Sequence, residues 1–167
     1  MISLMAKHKV GVYNGSAHWE QAGYEAEMPG PRPISSIANY HAHIYYDVDR
    51  TRHVAETLRK QIAARFRVRI GAWHDEKVGP HARSMFQVAF DTEVFPAFVP
   101  WLMLNRSGLT VLVHPNTDHP RDDHLVHALW LGEKLPVDAA MLEDSLAALG
   151  RMIPPVVPNT DPDPALI

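Results

Sequence analysis

The chain of 167 residues contains no cysteine. That excludes thiol nucleophiles, iron–sulfur clusters, CxxC redox pairs and cysteine-ligated zinc. It also lacks long apolar runs; none approaches the roughly 20 residues of a membrane helix, so no membrane partner is expected. Positive charge is not in excess. Sixteen Lys and Arg against 19 Asp and Glu give a net charge of −3, which leaves no broad basic face for a nucleic acid. The N-terminal MISLMAKHKV puts its lysines after a short apolar stretch, the reverse of a secretory signal. A cytoplasmic location is the expectation. P-loop, GxGxxG, GxSxG and HExxH motifs are all missing, and neither Ser35-Ser36 nor Ser84 sits in a nucleophile motif. What the chain does have is an ordinary apolar content and eleven histidines, all within the first 127 residues. A domain of this length buries about two-thirds of its unfolded surface and needs no crosslink to fold. With no thiolate available, any metal must be held by imidazole and carboxylate.

Two ends differ from the middle. Residues 1–37 carry Gly, Pro and Ser without a periodic run, and PGPRP at 29–33 belongs in neither a helix nor a central strand. They read as an N-terminal extension. Residues 151–167 hold a cluster of prolines and read as an extended C-terminal tail. The domain lies between them, at 38–150. There YHAHIYYDV (40–48) alternates, with Ala42, Ile44, Tyr46 and Val48 on one face and His41, His43, Tyr45 and Asp47 on the other. Val54, Leu58 and Ile62 recur at helical spacing within 50–65. FRVRIGAW (66–73) and SMFQVAFD (84–91) alternate again. Thr92 is a candidate N-cap for a helix reaching about Asn105, with Pro96 tolerated in its first turn and Pro100 disturbing it. Leu109 to His114 is a fourth strand. Two more helices are expected near 122–131 and 138–149, the latter capped by Asp138 and striped by Leu142, Leu146 and Leu149.

The order β-α-β-β-α-β is that of a ferredoxin-like α+β sandwich, a four-stranded antiparallel sheet with both helices on one face. The opposite face is open, which favours a homodimer. Because Ala42, Ile44, Tyr46 and Val48 face the helices, His41 and His43 project from the open face about 7 Å apart. The first and fourth strands are antiparallel neighbours in this fold, so His114 converges on the same region. Three converging histidines suit a divalent metal; an HxH on an exposed strand is equally what a plain polar face would carry. His74 and His81 flank the loop between the second and third strands. Either this loop folds back over the open face or it serves another site. His124 and His127 can share a helix face, with a capping or packing role for His127. His8, His18, His53 and His119 have no convergent partners. Arg67 and Arg69 project from an edge strand, either as edge protection by charge or as a clamp for a substrate carboxylate. Gln87 shares their face and completes the candidate substrate-binding set.

YHAHIYYD (40–47), WHDEKVGPH (73–81), FQVAF (86–90), LNRSGLTVLVHP (104–115) and DH followed by HALWLG (123–132) together resemble the DOPA 4,5-dioxygenase family over about 40–135. Lys77 and Ala82 stand where that pattern favours proline. The resemblance implies a ferredoxin-like fold and extradiol opening of a catechol ring with non-haem iron(II) and O₂. It implies His41, His43, His81 and His114 as metal ligands, with zinc or nickel able to occupy the same site. It adds His74 and His124 as further site histidines and brings the 74–83 loop to the site, in one subunit or across a dimer. His74, His124 and Tyr45 are the candidates to accept the catechol proton and later return it. A facial triad would want a carboxylate as well; Asp47, Glu93, Asp118 and Asp123 are the candidates, and an all-histidine set is the alternative. The expected partner is a small aromatic substrate. Two rivals follow from the same residues: a metal-free small-ligand binding or sensor module, and a metal-dependent isomerase or lyase.

Overall fold

A computed structural model describes residues 30–166; the 1–29 part of the N-terminal extension, with His8 and His18, lies outside the described residues. The elements are β1 (Asn39–Tyr45), α1 (Arg52–Arg65), β2 (Arg69–His74), β3 (Met85–Phe90), α2 (Phe95–Asn105), β4 (Thr110–Asn116), α3 (Pro120–Leu125) and β5 (Leu129–Leu131). Five strands form one antiparallel sheet in the order β2-β3-β1-β4-β5. The first four follow the expected ferredoxin-like order, with β1 in the centre.

The helix-side core is the one that alternation predicts. Ala42 and Ile44, Phe86, Val88 and Phe90, and Val111 and Val113 meet Ala55, Leu58 and Ile62 of α1 and Phe98, Val99 and Leu102 of α2. Every second residue of each strand joins every third or fourth residue of each helix, which is how two periodicities share one interface. Val48 does not join them: β1 ends at Tyr45 and Val48 is 42% exposed. Asp47 turns the chain there, accepting hydrogen bonds from the Asp49 and Arg50 backbone. Thr92 does not cap a helix either; a short 3₁₀ turn at Thr92–Val94 precedes α2, with no side-chain cap bond. Pro96 lies in the first turn of α2, where its missing N–H is no loss, and Pro100 lies inside.

In β2 the alternation breaks. Ile70 pairs with Val88 but Trp73, not Ala72, pairs with Phe86. A bulge at Gly71 and Ala72 adds a residue. It turns Trp73 toward the core and His74 to the other face, opposite Met85. A Cβ on Gly71 would sit 3.3 Å from the Gln87 carbonyl oxygen, so the strands approach more closely here than a side chain comfortably allows.

The C-terminal helices expected at 122–131 and 138–149 are replaced. Only the short α3 is helical. Leu129–Leu131 instead extends the sheet by pairing with the free edge of β4, and Gly132, at φ +95°, ends it. Residues 138–149 form 3₁₀ turns at Ala139–Met141 and Ala147–Leu149. Their bonds go to another segment: Asp118 accepts from the Ser145 hydroxyl and the Ala147 N–H through its side chain, and from the Leu146 N–H through its carbonyl. Asp138 does cap, by accepting from the Ala140 N–H. The tail is extended, and it is bonded to β2 rather than lying apart. The sheet face opposite the helices is thus covered by the chain's own segments, where Leu135 packs with Tyr45, Met85 and Leu112. A dimer expected from an open face would have to form over these segments.

Candidate metal centre

The register of the central strands builds the site. His41 of β1 is directly opposite His114 of β4, and His43 is opposite Leu112 on one side and Gln87 on the other. All three histidines therefore stand on the covered face. His43 is 2% exposed and His114 1%, and their Nε2 atoms are 3.1 Å apart. Two further rings close in, His81 from the loop after β2 and His124 from α3. His81 lies against His43 with centroids 4.1 Å apart and planes tilted by 37°, and His124 lies against His114 at 3.8 Å, tilted by 35°. Donor nitrogens of His41, His43 and His114 lie within 4.8 Å of one another, as do those of His43, His81 and His124. His43 belongs to both trios.

His81 arrives because the loop after β2 does fold back, within the same chain. The His81 N–H donates to the Val78 carbonyl, and Asp138 N–H donates to the Pro80 carbonyl, which ties the loop to the segment after β5. His124 is held by α3, whose approach is set by Asp123: buried, it accepts from the Thr117 N–H at 2.7 Å and the Thr117 hydroxyl at 2.8 Å. Burial pushes the Asp123 carboxyl pKa up. The four carboxylates considered from sequence are all outside the two trios. Asp123 is engaged by Thr117, Asp118 by Ser145 and Ala147, and Asp47 by its own turn, while Glu93 is exposed. Among the described residues the donor set is all histidine.

The electrostatics favour neutral rings. Burial, then the neighbouring charge of His124, pulls the His41 pKa down to about 4. His81 is lowered to about 4 by burial and then by His124, His41 and His74. His43 and His114 lie well below their usual value, again chiefly through burial. His124 is lowered by burial against the opposing pull of the Pro120 carbonyl and Asp123. Two tautomers are set by backbone. His114 Nδ1–H donates to the Pro115 carbonyl at 2.7 Å and His124 Nδ1–H to the Pro120 carbonyl at 2.8 Å, which leaves each Nε2 with a lone pair, that of His114 accepting from His43 Nε2–H. Tyr45, stacked on Trp130, brings its hydroxyl to 2.8 Å from His81 Nδ1.

This donor set fits a divalent ion. Two imidazole nitrogens bound at about 2.1 Å and roughly a right angle to each other stand about 3 Å apart, the spacing seen between His43 and His114. His43 Nδ1 is buried without a hydrogen-bond partner, and a buried polar atom left unmatched costs about 1–3 kcal/mol. Clustered, deprotonated and partly unsatisfied imidazoles are expensive alone and are stabilised by a cation.

The other sequence candidates divide. His74 shares the covered face but is in neither trio. Arg69 and Gln87 line a cavity of about 570 Å³ whose wall includes His41. Arg67 is exposed and not part of that lining. His127 is exposed and bonded to Arg32. The polar lining from Asn39 and Asn116, and the tail wall from Ile153 to Val157, were not foreseen; the alternation of β1 places Asn39 on the His41 face, but the tail carries no comparable signal.

A ferredoxin-like α+β sheet whose covered face brings together two histidine trios that could hold a metal ion defines the class. Comparison with known proteins is specific beyond that. Residues 40–141 match the sequence model of the Dopa 4,5-dioxygenase family, and the chain belongs to that family. An uncharacterised 21.2 kDa protein of Botryotinia fuckeliana is 44% identical over 85 residues, 46% of each chain. The DOPA 4,5-dioxygenase of Amanita muscaria is 28% identical over 116 residues, covering 65% of this chain and 51% of that one. The chain thus spans about half the length of the curated relatives it matches. A crystal structure from Nostoc punctiforme, of a protein named as a candidate dioxygenase, superposes with a TM-score of 0.65 at 45% identity, over 66% of this chain and 96% of that one. No helix among the described residues is long and apolar enough to cross a membrane.

Proposed function

We propose that the chain is a metal-dependent, ring-opening (extradiol) dioxygenase that acts on a small catechol such as DOPA with iron(II) and O₂. The observation that carries this reading is the pair of histidine trios sharing the buried His43, with His41, His43, His81, His114 and His124 all lowered in pKa by burial, on the scaffold of a dioxygenase family. His41, His43, His81 and His114 would hold the metal, and His124 reaches the same ring of donors. Iron(II), when bound, supplies open positions at which a catecholate and O₂ meet.

The chain's own residues supply the rest. The Tyr45 pKa is raised by burial, so its hydroxyl stays protonated and acts as a donor at the site. His124, beside His114, and His74, on the His81 side, are the candidates to take the catechol proton and return it. Arg69 and Gln87, facing the cavity with His41, would bind an acidic substituent and orient the ring.

Metal-free protein should be loaded anaerobically with iron(II) and given DOPA and related catechols in air. The expected result is a yellow ring-opened product with matching oxygen uptake. Turnover without oxygen uptake would support the isomerase or lyase reading, and protein that takes up no transition metal the binding-module reading. Metal uptake with no catechol consumed overturns the activity proposed here.

A further inference from the structure

The cavity beside His41 has a wall that the family match does not include. The match ends at residue 141, yet Ile153, Pro154, Pro155, Val156 and Val157 close one side of the cavity, facing His41, Arg69 and Gln87. One wall is apolar and lacks N–H groups at its prolines; the other carries Arg69, while the Asp123 carboxylate in the same lining is engaged by the Thr117 N–H and hydroxyl. We propose that the C-terminal segment Ile153–Thr160 is the specificity-determining wall of the substrate cavity. It packs against the face of a flat ring whose acidic group reaches Arg69, and it excludes rings with bulky substituents. This rests on the ring-opening reading above.

The wall is anchored at both ends. At one, the Asn39 side-chain amide donates to the Pro154 carbonyl at 3.1 Å. At the other, Asn159 is bonded to Val68 and Ile70 through its backbone and its side-chain amide. Its backbone N–H donates to the Val68 carbonyl at 3.0 Å, its Oδ1 accepts from the Ile70 N–H at 2.8 Å and its Nδ2 donates to the Ile70 carbonyl at 2.9 Å. The Thr160 hydroxyl accepts from the Val68 N–H at 2.9 Å and donates to the Phe66 carbonyl at 2.7 Å. Between the anchors, Pro154, Pro155 and Pro158 restrict the backbone to extended conformations, so the wall is stiff. A stiff span pinned at both ends discriminates by shape, because it cannot yield cheaply to a larger ligand.

The test is a calorimetric titration of zinc-loaded protein with 3,4-dihydroxybenzoate and its bulky 5-tert-butyl derivative, which share the carboxylate that would reach Arg69. Wild type should bind the flat ring at least tenfold more tightly than the bulky one. Asn159→Ala, and a chain ending at Met152, should keep their metal content and lose most of that preference, chiefly by gaining affinity for the bulky ring. If the truncated chain does not fold, Ile153→Ala combined with Val157→Ala serves as the second variant. Retention of the wild-type preference in both variants overturns the inference. Failure of the wild type to bind either catechol would instead bring down the ring-opening reading, and this proposal with it.

Discussion

His43 Nε2 and His114 Nε2 face each other at 3.1 Å from adjacent strands, in surroundings where neither ring readily takes a proton. The His114 tautomer is set by its bond to the Pro115 carbonyl, which directs a lone pair at His43. His43 also joins the trio with His81 and His124.

His43→Ala should therefore remove more metal than any other single histidine change, and His114→Ala should also reduce metal content sharply. His53→Ala, on the exposed face of α1, should leave it unchanged. Elemental analysis of folded protein, checked by circular dichroism, reads the result. Full metal occupancy in both site variants would falsify the proposed centre.

The metal-free protein should lose stability in mild acid. His41 and His81 have folded pKa values near 4, against about 6.5 in an unfolded chain. Above 6.5 both states are neutral and stability is flat. Below it the unfolded chain takes protons that the folded one refuses, so stability falls as pH drops from about 6.5 toward about 4. The slope approaches roughly 1.4 kcal/mol per pH unit for each such histidine. Urea unfolding of metal-free protein at pH 8, 6 and 5 should give a falling midpoint; identical midpoints would contradict it.

Tyr45→Phe removes the hydroxyl beside His81 Nδ1 while keeping the ring on Trp130. Metal content should be retained. If Tyr45 donates a proton during turnover, kcat should drop by about 10²–10⁴. A loss of metal without a specific kcat effect would recast Tyr45 as a residue that only orients His81.

Arg69→Gln should raise KM for catechols bearing a carboxylate by about tenfold or more, consistent with loss of a charge-assisted hydrogen bond worth about 1.5–3 kcal/mol. Plain catechol should be affected little. Arg67→Gln should change neither, because Arg67 is outside the cavity lining. Equal effects of the two changes would make this a matter of overall charge rather than of a binding contact.

Much of the scaffold was legible because strand alternation and helical spacing are local. Ala42 and Ile44 against His41 and His43, and Val111 and Val113 against His114, need only the backbone's two-residue period to sort them. Expectations failed where a segment's partners lie far away. LWL at 129–131 suits a helix or a strand, and the free edge of β4 decides it. Leu142, Leu146 and Leu149 have helical spacing, but Asp118 takes the hydrogen bonds that a helix would need. His74 reaches the covered face only through the bulge at Gly71 and Ala72, whose closeness to Gln87 is a tertiary fact.

By itself the sequence determined that any metal site here is made of nitrogen and oxygen donors, that His41, His43 and His114 share one sheet face, and, through its family motifs, that His81 and His124 belong with them. Tertiary structure decided how they meet. The 75–84 loop is tied back by the Asp138 N–H, α3 is anchored through Asp123 and Thr117, and the tail is pinned to β2. These are contacts between residues far apart in the chain. No local periodicity encodes them; they exist because covering a polar sheet face requires its donors and acceptors to be matched by whatever segment folds over it.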